Sequence, residues 1–168
     1  MITVHHLNNS RSQRVLWLLE VLGVPYDVMR YEWDAKTMLA PPALLDLHPF
    51  GKSPVITDDG VTVAESGAIV EYMVDKYGAG RLIPPAGTPA HLRYTSRLHY
   101  AEGSTMPPLL LKLTFDRVAT TPMPWPFSAM ARRIAALVQR AFIGPQLKRH
   151  LDFMESELAA PSTIHIDS

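Results

Sequence analysis

The chain has 168 residues, and its 16 Lys and Arg are balanced by 16 Asp and Glu, so its formal net charge at pH 7 is zero. Proteins that bind nucleic acid through its phosphates need an excess of cationic side chains, so this balance excludes a general nucleic-acid-binding protein and argues equally against a membrane-surface protein. The absence of cysteine excludes a disulfide framework, a thiolate metal site and a cysteine nucleophile. Because the chain shows neither a leader sequence nor an apolar run of about 18 residues, we expect a cytoplasmic protein.

The first 31 residues are predicted to form a strand, a helix and a second strand. Apolar and polar side chains alternate over Ile2–Leu7, which predicts a strand. Apolar side chains then recur at intervals of three and four residues, which predicts a helix that ends at Gly23. Tyr26–Tyr31 reads as the second strand. A unit of this length is typical of a right-handed crossover between parallel strands.

The next segment is predicted to add a hairpin and a helix. After a short helical patch at Ala43–Leu47, two strands at Pro54–Thr57 and Val61–Ala64 flank an Asp-Asp-Gly turn and should pair antiparallel. A helix follows over Ser66–Tyr77, with Gly78 as its cap. The order βαβ-ββα predicts an α/β domain built on a mixed sheet.

A stretch dense in glycine and proline separates this domain from an all-α region. The sequence GAGRLIPPAGTP begins at Gly78 and carries no periodic pattern. Beyond it, Ala90–Leu113 and Ser128–Leu158 have helical periodicity, and Pro107-Pro108 should kink or split the first of these helices. We therefore predict an α/β domain at residues 1–78, a linker at 79–89 and a helical domain at 90–168.

Two short segments at predicted helix starts have both a structural and a functional interpretation. Ser10-Arg11-Ser12-Gln13 matches a capping box, which opens helices of every function, but a hydroxyl at a helix N-terminus also lies where an anion is stabilised. The structural interpretation of Ala64-Glu65-Ser66-Gly67 is that Glu65 and Ser66 belong to the first turn of a helix. The segment equally fits the head group of an amino acid, with Glu65 on the ammonium and Ser66 on the carboxylate.

Pro54 stands at the first residue of an apolar strand, where its missing N–H is tolerated. An ordinary strand-initiating turn explains this position. Alternatively, the peptide before Pro54 is cis and turns the backbone N–H and C=O of Ser53 outward to pair with an extended ligand.

The ordered set of these motifs resembles the glutathione S-transferases, in particular the bacterial and fungal branch with a serine near the start. The resemblance is carried by HHLNNSRSQRVLWLLEVLGVPYDV at 5–28, PFGKSPVI at 49–56 and VAESGAIVEYMVDKYG at 63–78, and more loosely by YAEGSTMPPLLLKL at 100–113. It implies a thioredoxin-like domain followed by a helical domain, a homodimer, and a detoxification activity that conjugates glutathione, the co-substrate, to a small apolar electrophile.

The resemblance also implies a role for particular residues. Ser10 would be catalytic, by donating a hydrogen bond to the glutathione sulfur. The residues implied to bind glutathione are Lys52 at the glycine end, Ser53 through its main chain, the cis-proline Pro54, and Glu65 and Ser66 at the γ-glutamyl end. Asn9 and Ser12 are rivals for the sulfur contact, and Arg11 is a weaker candidate for guiding the anionic ligand.

Three further expectations follow. No metal site is expected, because His5 and His6 face opposite sides of a strand and no histidine pair has a ligand spacing. The helical half is shorter than the family pattern, so its helices should expose apolar faces, and a non-catalytic glutathione-fold binding protein is an alternative to the transferase. A glutathione-dependent peroxidase or reductase is less favoured, because such relatives commonly have a cysteine where Ser10 stands.

Overall fold

A computed structural model describes residues 1–34 and 39–159 of the chain. These residues form four strands, seven α-helices and two short π-helical segments. The strands are β1 (Ile2–Leu7), β2 (Tyr26–Tyr31), β3 (Val55–Asp58) and β4 (Val61–Ala64). The α-helices are α1 (Ser12–Leu22), α2 (Pro42–Leu47), α3 (Ser66–Tyr77), α4 (Pro89–Tyr100), α5 (Met106–Thr120), α6 (Phe127–Val138) and α7 (Gly144–Ala159), and the π-helical segments are Ala101–Thr105 and Gln139–Ile143.

The four strands form one mixed sheet in the order β2-β1-β3-β4, which confirms the predicted fold of the first half. β1 and β2 run parallel, and β3 is antiparallel to both β1 and β4. Asp59 and Gly60 form the hairpin turn. Their φ angles of 48° and 87° lie in the left-handed region, which Asp and Gly tolerate. Asp58, which the sequence analysis placed in the turn, is instead the last residue of β3.

The hydrophobic core lies between the sheet and the two helices α1 and α3. It is made by the buried apolar side chains of both layers, Ile2, Val4, Val15, Leu18, Leu19, Leu22, Ile56, Ile69, Met73 and Val74. The predicted end of α1 is confirmed, since Gly23 has φ of 68°. On α3, Ile69, Met73 and Val74 are buried, whereas Ala68 is exposed.

Gly78 ends α3 for a steric reason rather than a conformational one. Its φ is −73°, which any residue adopts. A Cβ at this position would lie 2.3 Å from the carbonyl oxygen of Val74 and 3.0 Å from that of Arg81. The close approach of two backbone segments therefore requires glycine here.

A buried carboxylate fastens α3 to the end of β3. Asp58 has no exposed side-chain surface, and its Oδ2 accepts hydrogen bonds from Tyr72 at 2.9 Å, Lys76 at 2.7 Å and Tyr77 at 2.6 Å. Burial alone raises the pKa of Asp58, but the hydrogen bonds from Lys76, Tyr77 and Tyr72 outweigh it and lower that pKa from 3.8 to about 2.

The chain divides into two compact units, Met1–His91 and a second that begins at Leu92. The segment predicted as a linker, 79–89, is held to the first unit: the Arg81 guanidinium donates to the carbonyl oxygen of Leu22 at 3.1 Å, and Ile83 packs on the core. The domain limits at residues 78 and 90 stay a prediction.

The second unit is helical, and its two π-helical turns lie just before prolines. The turn at Ala101–Thr105 ends two residues before Pro107-Pro108, where a kink or split was predicted, and the turn at Gln139–Ile143 ends two residues before Pro145. Since proline has no N–H for the i−4 carbonyl, the helix widens locally and then restarts.

Burial in this second unit is sparse. Within the described residues, neither α4 nor α7 has a buried side chain. On α7, Leu151 is 58% exposed and Leu158 is 82% exposed. On α5, the exposed side chains include Leu109, Leu110, Leu111 and Leu113. No helix in the described ranges is long and apolar enough to cross a membrane.

Candidate functional site

The predicted site residues meet at one edge of the first unit. The segment that leads into β3, the end of β4 and the N-termini of α1 and α3 line a shallow groove. Its lining residues are Arg11, His48, Phe50, Lys52, Ser53, Pro54, Ala64, Glu65 and Ser66. Segments separated by about forty residues in the sequence are therefore brought together, and they include five of the residues predicted to bind glutathione.

Ser10 lies beside this groove, half-buried, in the turn between β1 and α1. Its Oγ is 3.2 Å from Ser53 Oγ, which lines the groove, and 2.7 Å from Ser12 Oγ. The backbone N–H of Ser12 donates to Ser10 Oγ at 3.3 Å. The predicted capping box is thus only partly formed: α1 begins at Ser12, and Ser10 accepts from the amide of Ser12 rather than from that of Gln13.

The two rivals for the sulfur contact have different environments. Ser12 has no exposed surface, and its hydroxyl contacts both Ser10 Oγ at 2.7 Å and His6 Nδ1 at 2.8 Å. A ligand atom in the groove cannot reach a hydroxyl that is enclosed in this way. Asn9 is exposed and sits in the left-handed region, with φ of 53°.

Ser53 continues the pairing between β1 and β3 with its side chain. The backbone ladder ends at the pair His5 and Val55. Beyond it, Ser53 Oγ donates to the carbonyl oxygen of His5 at 2.9 Å and accepts from the N–H of Leu7 at 3.3 Å. The Ser53–Pro54 peptide bond is cis. The Ser53 hydroxyl thereby anchors the start of β3 to the strand that leads into Ser10.

The opposite end of the groove is built by the turn into α3. Glu65 precedes the helix with a φ of 72°, and its side chain is exposed. Ser66 is buried, and its Oγ has no hydrogen-bond partner among the described residues. An unpaired buried hydroxyl at a helix N-terminus has unused capacity to bind an anion, which the first amides of the helix also favour.

The charges around the groove suit a small ligand with both amino and carboxylate groups. Glu65 supplies a negative charge at one end, and Lys52 and Arg11 supply positive charges. The donor groups present therefore match a γ-glutamyl head group with a second carboxylate, so the residues fit glutathione.

Sequence reasoning missed three residues of this region. His48 and Phe50 line the groove, with their rings 5.1 Å apart and edge to face. Their proximity to the site could have been inferred, because both lie within three residues of the Gly51-Lys52-Ser53-Pro54 segment. His6 was considered only as a metal ligand, although it lies at the end of the strand that leads to Ser10.

The histidines do not form a metal centre in the part of the chain that is described, where no three His, Asp or Glu side chains form a group that could hold a metal. His5 points to the other face of the sheet, where its ring contacts the Tyr31 hydroxyl at 3.0 Å and Thr57 Oγ1 at 3.2 Å. Burial lowers the pKa of His5 below its ordinary value of 6.5.

Comparison with known proteins identifies relatives along most of the chain. A family model described as "Glutathione S-transferase, N-terminal domain" matches residues 1–75. Glutathione S-transferase 1 of Saccharomyces cerevisiae is 32% identical over 173 residues, which cover 99% of this chain and 74% of the relative. Glutathione S-transferase 3 of Schizosaccharomyces pombe is 37% identical over 161 residues, which cover 95% of this chain and 65% of the relative. The chain thus spans about two thirds to three quarters of the length of these curated relatives.

A solved structure shows the same fold. A sphingomonad glutathione S-transferase complexed with glutathione matches with a TM-score of 0.66 and 22% identity, over 99% of this chain and 74% of that chain. The thioredoxin-like fold with a helical region after it, which the sequence resemblance implied, is thereby confirmed.

Proposed function

Because this chain belongs to the glutathione S-transferase family, we propose that its first unit binds glutathione and that Ser10 stabilises the glutathione thiolate for attack on small apolar electrophiles. The observation that carries the proposal is the position of the Ser10 hydroxyl. It is half-buried at the start of α1, within 3.2 Å of the groove residue Ser53, and it accepts a hydrogen bond from the Ser12 amide. The Ser10 hydroxyl carries one proton, which a thiolate would take over from its present acceptor, Ser12 Oγ or Ser53 Oγ.

The energy of such a hydrogen bond is sufficient for the chemistry. A free thiol has a pKa of about 8.5, so only a few per cent is thiolate at pH 7. A hydrogen bond to a charged group contributes about 1.5–3 kcal/mol, which lowers the thiol pKa by roughly one to two units. The partial positive charge at the N-terminus of α1 acts in the same direction. Ser10 is then a stabiliser of the nucleophile and is not itself a nucleophile.

The groove supplies the groups that hold the tripeptide. Glu65 takes the ammonium of the γ-glutamyl end, and the unpaired Ser66 hydroxyl and first amides of α3 take its carboxylate. The main chain of Ser53, before cis Pro54, pairs with the cysteinyl unit. Lys52 contacts the glycine carboxylate. This placement puts the sulfur at the end of the groove where Ser10 lies.

The finer features of the family are part of the same proposal. We expect a homodimer that acts in detoxification, with the electrophile received on an apolar surface next to the sulfur. The cytoplasmic location also stays a proposal, which the cysteine-free sequence supports because a reducing compartment does not require disulfides.

The test combines binding and turnover. We expect the protein to be retained on immobilised glutathione and to conjugate glutathione to an activated aryl halide. Ser10→Ala should lower kcat roughly 10- to 100-fold by the arithmetic above, while retention on glutathione stays nearly normal. Asn9→Ala is the matched control, since Asn9 is the exposed neighbour in the same turn. A loss of turnover in the Asn9 variant with none in the Ser10 variant would assign the sulfur contact to Asn9.

A second candidate function is a non-catalytic glutathione-fold binding protein. The sparse burial of the second unit favours it, because a well-formed electrophile pocket needs a packed helical half. Retention on glutathione without conjugation of the aryl halide would establish this alternative.

A further inference from the structure

We propose that His6 receives the thiol proton of glutathione through a relay of two hydroxyls, Ser10 and Ser12. The proposal rests on the function above, because it concerns how the thiolate at Ser10 is generated. Its basis is a line of three side chains: Ser10 Oγ lies 2.7 Å from Ser12 Oγ, which lies 2.8 Å from His6 Nδ1. Both distances are those of well-formed hydrogen bonds.

The middle member of the line is shielded from water. Ser12 has no exposed surface, whereas Ser10 and His6 are half-buried at the two ends. A proton that enters at Ser10 therefore has a protein-only path to the imidazole. The imidazole, being partly exposed, can return it to solvent.

The number of protons on each hydroxyl fixes the direction of these hydrogen bonds. Each serine has one proton to donate. When Ser10 donates its proton to a thiolate, its oxygen accepts from the Ser12 hydroxyl, and Ser12 has no proton left for His6. His6 Nδ1 must then carry a proton and donate to Ser12. A thiolate at one end of the line thus requires Nδ1–H at the other.

Ser53 does not offer an alternative route. Its proton is donated to the carbonyl oxygen of His5 at 2.9 Å, and its oxygen already accepts from the Leu7 N–H at 3.3 Å. A hydroxyl whose proton is held by a buried carbonyl cannot pass a proton onward without breaking that bond. The contact between Ser10 and Ser53 therefore positions Ser10, while the contact with Ser12 leads to a titratable base.

The transfer is balanced without any further reactant. The S–H bond of glutathione breaks and its proton binds Ser10 Oγ. The proton originally on Ser10 moves to Ser12 Oγ, and the proton originally on Ser12 moves to the unprotonated Nδ1 of His6. The products are a thiolate hydrogen-bonded by Ser10 and an imidazolium hydrogen-bonded to Ser12.

The charged groups around His6 come from the neighbouring strand and helix. Arg30 is its direct partner on β2, on the same face of the sheet, and Glu32 is the first residue after β2. From α1, Arg11 adjoins Ser12. The pairing of β1 with β3 stops at His5, so β3 places no charged partner opposite His6.

The first test observes His6 directly in the unaltered protein, by ¹⁵N NMR of its ring nitrogens. We expect an Nδ1 without a proton in the free protein near pH 7 and a protonated Nδ1 when glutathione is added. S-methylglutathione, which has no thiol proton, is the matched ligand and should leave Nδ1 unprotonated. An Nδ1 signal that is identical with the two ligands would overturn the relay.

The second test separates the relay from the stabilising role of Ser10. His6→Asn keeps a donor toward Ser12 but cannot take up a proton, and Ser12→Ala breaks the line while leaving His6 in place. In stopped-flow measurements of thiolate absorbance, both variants should form the thiolate about 10- to 100-fold more slowly at pH 7, and added imidazole buffer should restore the rate in the His6 variant. His99→Asn, an exposed histidine on α4, is the control and should behave as the unaltered protein.

The outcomes distinguish this proposal from the one on which it rests. If Ser10→Ala raises the pKa of the bound thiol but the His6 and Ser12 variants form thiolate at the normal rate, the relay is refuted and the role of Ser10 stands. If Ser10→Ala leaves the bound thiol unchanged, the proposed function itself fails. Should either relay variant not fold, as judged by circular dichroism, the NMR comparison decides.

Discussion

Replacing the buried carboxylate of Asp58 by an amide should destabilise the first unit measurably. Asp58 Oδ2 accepts from three donors on α3, and Asp58→Asn removes the charge that these donors face. The new amide either turns its NH₂ group toward the three donors or leaves one of those donors without an acceptor. Loss of this contact loosens the attachment of α3 to β3, and with it the turn that positions Glu65 and Ser66.

The magnitude follows from the pKa of Asp58. Its value of about 2 in the folded protein, against 3.8 in the reference state, corresponds to at most about 2.5 kcal/mol of folding free energy at neutral pH. Water around Lys76, whose side chain is 38% exposed, screens the ion pair and brings the effect below this limit. Because the folded pKa is lowered, the stabilisation is complete above about pH 5 and is lost as the pH falls from 4 toward 2.

The assay is urea denaturation followed by circular dichroism, with Asp59→Asn as the control. Asp59 is the adjacent residue, is 68% exposed, and has a positive φ that asparagine tolerates well. We expect Asp58→Asn to lower the free energy of unfolding by about 1–2 kcal/mol at pH 7 and by about half as much at pH 3. The control should change it by less than about 0.5 kcal/mol. Equal losses in the two variants, or a loss for Asp58→Asn that does not depend on pH, would refute the reasoning.

Two further predictions concern packing. Gly78→Ala should lower the melting temperature, because the added Cβ would lie 2.3 Å from the Val74 carbonyl oxygen. Gly67→Ala should be neutral or stabilising, because an added Cβ there has no atom within 4 Å. A lower melting temperature for the Gly67 variant alone would contradict this. The exposed apolar side chains of the second unit, such as Leu137 at 68% and Leu151 at 58%, should make the protein self-associate as its concentration rises in sedimentation experiments. Replacing both leucines by lysine should weaken that association, and unchanged sedimentation would show that they are not at the contact.

The elements of the first unit could be predicted because their signals are local. Alternation over Ile2–Leu7, the three- and four-residue spacing before Gly23, and the Asp-Gly turn each depend on neighbours in the sequence. The mixed sheet then followed from short connections and the handedness of crossovers.

Side-chain contacts between distant segments could not be predicted in this way. The sequence shows Asp58 as a turn residue, because nothing local reveals that Tyr72, Lys76 and Tyr77 will surround it. The hydrogen bond between His6 and Ser12 also depends on how β1 ends against α1. Periodicity in the second unit predicted its helices correctly but not which faces would be buried, since burial depends on partners that a single helix does not specify.

The central claim is that the start of α1 holds the sulfur of glutathione as a thiolate, and titration of the bound thiol tests it most directly. The absorbance of the thiolate is followed against pH with the protein in excess over glutathione, and the same titration is carried out in buffer alone and with the Ser10→Ala variant. The account predicts a pKa for the bound thiol about one to two units below that of free glutathione, and a return toward the free value in the variant. A bound thiol that titrates at the same pH as free glutathione would contradict it.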